Sequence, residues 1–171
     1  MTQETPQQRL KTLLESTDPE KVTERREFVK FLKRHLCPEG YFLHLDVKDF
    51  KNAKSDEDKI IAAQRIVKQY FSEDSVSEVN VGYDLAKEVL SNVKPNQVPS
   101  NDVFDKSVDA VLATLAFDGF CRFEREQASR KRALQRIERE QEERALLMKG
   151  VALSVVAAAA VLFLMWRYKK N

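Results

Sequence analysis

Apolar residues recur at three- and four-residue steps along most of the chain. Val22, Phe28, Phe31, Leu32 and Leu36 make one such stripe, and Ile60, Ala63, Ile66, Val67, Tyr70 and Phe71 make another with Lys, Gln and Arg opposite. This period places one face of an α-helix against a core. Start signals sit where helices should open. Thr5-Pro6-Gln7-Gln8 supplies an N-cap, a Pro for the first turn and a capping-box Gln ahead of Leu10, Leu13 and Leu14; Asp18-Pro19 repeats the cap-plus-Pro signal, and Ser55 with Asp58 caps a further helix. Tyr41, Phe42, Leu45 and Phe50 mark a helix after Cys37-Pro38, Asp84 to Leu90 a short one, and Lys94 to Pro99 a loop. Asn101 or Asp102 should cap a long helix carrying Phe104, Val108, Val111, Leu112 and Leu115. No stretch alternates with a period of two, so the expected fold is all-α.

From Arg122 to Lys149 the pattern is polar nearly all round, with Glu126/Arg130 and Glu140/Arg144 in the favourable order, which reads as a solvated spacer helix. A heptad through Phe123, Leu134 and Ile137 fails at Gln141 and Arg144, so a coiled coil is the lesser reading. A run of 17 uncharged residues then lies between Lys149 and Arg167. At ~1.5 Å per residue it spans roughly 25 Å, near the minimum for a transmembrane helix. Basic flanks, Trp166 and Tyr168 at interface depth, and a snorkelling Lys149 lead to the expectation of a transmembrane helix over 150–166 with a short basic tail over 167–171. The competing reading is a buried Ala-rich helix. Such an anchor would insert after synthesis and leave the N-terminal part in the cytosol. Its modest length would suit a thin bilayer, that of the endoplasmic reticulum or mitochondrial outer membrane rather than the plasma membrane. Gly150, Ser154 and Ala158, four apart, could let two anchors pair as a homodimer, although an Ala-rich segment shows such spacing by chance.

Composition narrows the classes. The chain has 171 residues, 33% charged and 43% hydrophobic, with 4 Gly and 5 Pro, which fits one folded domain and excludes collagen-like or disordered chains. Net charge is +2, but Arg122 to Lys149 holds 9 Lys/Arg against 6 Asp/Glu and the tail adds three cations, leaving the first 121 residues acidic. Nucleic acid is therefore not an expected partner. Cys37 and Cys121 are read as free thiols. His35, Cys37 and His44 lack the second cluster that zinc needs, and the glycines are scattered singly, so no metal, no cofactor and no catalytic chemistry of the chain's own is expected.

Four segments in order carry a family resemblance: FVKFLKR at 28–34, AQRIVKQYF at 63–71, SEVNV at 77–81 and VFDKSVDAVLATLAFDGFCRF at 103–123. Together they resemble the regulator of G-protein signalling (RGS) homology domain. The resemblance implies a bundle of about nine helices over 25–126, with a segment over 1–24 completing its terminal lobe; the polar pattern beyond it makes 127–149 a charged juxtamembrane helix. It also implies a Gα subunit as partner, whose GTP hydrolysis the domain speeds by holding the switch regions, since Gα supplies its own arginine. Glu39, Asn80, Asp118 and Arg122 match the family's Gα-contacting positions, with Asp118 and Arg122 spaced to pair. Gly40 stands where the family has an Asn that meets the Gα catalytic glutamine, and His44 where it usually has a core Trp. The first departure supports an alternative, an RGS-like docking module at an organelle membrane that does not activate, with Gly40→Asn as the discriminating variant. A Bcl-2-like tail-anchored regulator is a remoter alternative, since the Asn-Trp-Gly-Arg signature is absent.

Overall fold

The computed structural model describes residues 4–35, 38–72, 75 and 77–169; in the last helix, side chains are described through Val151 and again at Met165 and Lys169. Leu36 and Cys37 lie outside the described residues. The elements are α1 (Pro6–Glu15), α2 (Pro19–Arg34), α3 (Glu39–Lys51), α4 (Asp56–Ile66) continued by a π turn (Val67–Phe71), α5 (Tyr83–Asn92), α6 (Asp105–Leu115), a second π turn (Ala116–Phe120) and α7 (Cys121–Lys169).

The caps read from the sequence form. Gln8 N donates to Thr5 Oγ1 at 3.2 Å and Thr5 N to Gln8 Oε1 at 2.8 Å, Glu20 N donates to Asp18 Oδ1 at 2.7 Å, and Asp58 N donates to Ser55 Oγ at 3.1 Å. The long helix differs. It opens at Asp105, with Phe104 in the cap position and no side-chain cap, because burying the Phe104 ring fixes that end and leaves Asn101 and Asp102 in an exposed turn.

Residues 1–124 form one compact unit. Its first apolar cluster joins Leu10, Leu13 and Leu14 of α1, Phe28, Phe31 and Leu32 of α2, and Leu115, Phe120 and Phe123. The second joins Leu43, Val47 and Phe50 of α3, Ala63, Ile66 and Tyr70, Val89 of α5, and Phe104 and Val111 of α6. α6 is common to both, giving Leu112 and Leu115 to one and Val111 to the other. α3 packs against both α4 and α6. Its buried positions are therefore Tyr41, Leu43, Val47 and Phe50, while Leu45, expected on the apolar stripe, is 38% exposed.

Two expectations are corrected. Among the described residues there are six continuous helices rather than about nine, because each π turn carries its helix onward: one runs 56–71 and another 105–169. Nor is any helix of the described residues long and apolar enough to cross a membrane, which overturns the transmembrane helix over 150–166 and the single-pass membrane localisation. The uncharged run falls short of a full span, since 17 residues reach roughly 25 Å against a hydrocarbon core of about 30 Å. The segment continues the charged helix as the end of α7; Gly150 is exposed, and the side chains of Ser154, Ala158 and Trp166 lie outside the described residues. Residues 125–171 form the second unit. Its described side chains from Ala128 through Val151 are all exposed, and Arg130 pairs with Glu126 at 2.6 Å.

Candidate functional site

Gly119 decides how the second π turn lies. A Cβ there would stand 3.2 Å from Leu32 Cδ2 and 3.0 Å from Leu115 Cδ1, so the turn rests directly on the core at a residue without a side chain. Phe117 and Asp118 are thereby turned outward, and both are exposed. One turn on, Arg122 brings Nη1 to 3.8 Å from Asp118 Oδ1, the i,i+4 pairing that the spacing predicted. Its Nη2 lies 3.4 Å from Nδ1 of His35, which ends α2 and lies tilted against Phe31 with ring centroids 4.3 Å apart. Asp118, Arg122 and His35 thus form one exposed group drawn from three elements.

A second group is organised by Tyr70 in the first π turn. Its buried phenol donates to Asp46 Oδ2 on α3 at 2.6 Å, and its backbone carbonyl accepts from Val79 N at 3.2 Å. Val81 N donates to Val79 O at 2.8 Å, closing a three-residue turn with exposed Asn80 at its apex and Val79 buried. Burial, then the bond to Asp46, hold the phenol's pKa well above the tyrosine range; Glu39, at the start of α3, adds to the same shift and so lies within electrostatic reach. Gly40 is half-buried, and a Cβ on it would collide with Val111 Cγ1 of α6. α6 joins the two groups, carrying Val111 under Gly40 and continuing into the turn that bears Asp118.

Tyr70 titration sets a test. The folded state holds this proton more tightly than an unfolded tyrosine, whose pKa is about 10. The contribution is full below pH ~10 and is lost as pH rises past that value. Tyr70→Phe should lower stability at pH 8 by about 1–3 kcal/mol, since Asp46 loses its shorter hydrogen bond and keeps only the 3.4 Å contact from Arg65. It should also flatten the alkaline loss between pH 9 and 11, read as urea midpoints beside the wild type.

His44 is half-buried and lines a groove of about 720 Å³ among α1, α3 and α6; burial first, then nearby Lys48, lower its pKa. Among the described residues no group of three His, Cys, Asp or Glu could hold a metal ion. The sequence marks Tyr70 and Val111 only as core positions and His35 only as a rejected zinc ligand, not as neighbours of these groups. Arg122 and His35 are 87 residues apart, so no local spacing announces their contact.

Residues 13–129 match the family model described as Regulator of G protein signaling domain, a stretch from the end of α1 through α2 to α6 into α7. No curated protein matches the chain.

Proposed function

Because the chain belongs to the regulator of G protein signaling domain family, we propose that it binds a Gα subunit through the surface bearing Glu39, Gly40, Asn80, Asp118 and Arg122 and accelerates GTP hydrolysis there. Domains of this family are generally GTPase regulators rather than enzymes in their own right. The observation that carries the reading is the Asp118–Arg122 pair on a turn seated directly against the core. An acid held this way can meet a backbone N–H of a switch segment without being reorganised when it binds. Acceleration then comes from positioning groups that Gα already owns, and it requires tighter binding to the transition state than to the ground state.

Single-turnover GTP hydrolysis by Gα, with and without the full chain, is the test. The expected result is an increase of at least about tenfold, reduced by Asp118→Ala, since losing a charged hydrogen bond costs about 1.5–3 kcal/mol, or roughly one to two decades of rate. An intrinsic rate at saturating protein would sink the activating reading.

Gly40 favours a second reading, docking on Gα without activation. Position 40 presents no side chain, and Val111 fills the volume in which one would begin. Gα in its aluminium-fluoride state would then be bound no better than its GDP state.

A further inference from the structure

Phe117 is 64% exposed, whereas every other phenylalanine with a described side chain packs its ring against another aromatic. The other strongly exposed aromatic, Tyr83, has the Lys87 ammonium 5.9 Å over its ring. Among the described residues neither a ring nor a cation covers Phe117. This exposure is not slack in the chain. Ala116 is buried before the ring, and Gly119 and Phe120 are buried after it, so the turn is pinned on both sides. The π turn sets two consecutive residues, Phe117 and Asp118, outward between those buried neighbours. Burying the ring would require the turn to rotate, which lifts Gly119 off Leu32 and Leu115.

The ring therefore stays in water in the free chain, one residue from the acid that pairs with Arg122. A partner that meets Asp118 must either cover the ring or leave it wet. Interfaces concentrate their binding energy where an aromatic anchor and an arginine lie together and are closed off from water. Here the charged pair supplies orientation, and the ring supplies apolar area to be removed from water.

We propose that Phe117 is the apolar anchor of the partner surface, its ring entering an apolar recess on Gα beside the switch backbone that Asp118 meets. It would thereby select Gα subunits that present such a recess. The proposal rests on the Gα reading of this surface and deepens it by naming a specificity-determining residue.

The test measures binding of the full chain to Gα in its aluminium-fluoride state, for wild type, Phe117→Ala, Phe117→Leu and Phe117→Lys. Phe117→Ala should weaken binding about tenfold to a hundredfold, the loss expected when an aromatic side chain is no longer buried. Phe117→Leu keeps most of the apolar area and should stay within about fivefold of wild type. Phe117→Lys should bind no better than the alanine variant, because a charge would enter an apolar recess. Urea midpoints of all the variants should agree, which separates a lost contact from a disturbed fold. Read through GTP hydrolysis, the loss should appear in the concentration giving half-maximal acceleration, since a contact made equally in ground and transition states contributes affinity. Affinities of wild type and Phe117→Ala within about threefold of each other would overturn the proposal and leave the Gα reading standing. Binding without acceleration, still lost in Phe117→Ala, would support the anchor and reject activation. Failure of wild type to bind Gα in either nucleotide state would reject that reading and the anchor with it. Sedimentation of the chain alone gives the last outcome: self-association abolished by Phe117→Ala would assign the ring to a second copy and overturn the proposal.

Discussion

Replacing Phe28 by alanine is expected to cost about 3–5 kcal/mol, a larger effect than any other single substitution proposed for this chain. Phe28 is fully buried, edge-on to Phe120 at 5.5 Å between centroids and tilted against Phe123 at 5.2 Å. Truncation removes both ring contacts and leaves a cavity that helices fixed by their neighbours cannot close. Domains of this size are stable by only about 5–15 kcal/mol, so roughly a fifth or more of the total is at stake. Denaturant unfolding should show a clearly lowered midpoint with the slope unchanged. Phe117→Ala is the matched control, because Phe117 is 64% exposed and its loss should fall within about 0.5 kcal/mol. Equal effects of the two substitutions would contradict the packing described. Phe120 ends the turn that carries Asp118, so Phe28→Ala should weaken partner binding as well.

The second large effect is at Gly40. Alanine there should destabilise the bundle by about 1–3 kcal/mol, although alanine is ordinarily the better helix former. The added methyl runs into Val111 Cγ1, and a β-branched side chain in a helix has one strongly preferred rotamer, so Val111 cannot easily turn aside. A double-mutant cycle gives the decisive measurement: with Val111→Ala in place, Gly40→Ala should cost little, a coupling of about 1–3 kcal/mol. Additive costs would show that the contact is relaxed by small backbone shifts. The same geometry changes how activation is tested. Gly40→Asn alone confounds a restored polar contact with overpacking, whereas Gly40→Asn with Val111→Ala gives the asparagine room. A gain of GTPase activation in the double variant, and not in either single one, would identify Gly40 as what limits activity.

Much of the helical layout could be read along the chain because its causes are local. Thr5, Asp18 and Ser55 cap helices through their own side chains, and Pro6 and Pro19 fit only a first turn. The stripe through Phe28, Phe31 and Leu32 is a core face in the structure as in the sequence. The reading was weakest where an element serves two neighbours at once. α3 lies against α4 and α6, so a one-sided stripe misplaces Leu45, and a helix that widens into a π turn looks in sequence like a helix that ends. The resemblance over 28–123 is supported by the family match over 13–129.

By itself, the sequence determined the all-α class, the helix starts capped by Thr5, Asp18 and Ser55, the family and the spacing that lets Asp118 reach Arg122, all legible from patterns along the chain. Only the tertiary structure decided that Val111 closes off Gly40, that Gly119 seats the turn on Leu32 and Leu115, and that His35 stands beside Arg122. Those facts depend on which helices meet and how closely they approach. Packing sets such distances between residues far apart in the chain, and no local periodicity encodes them.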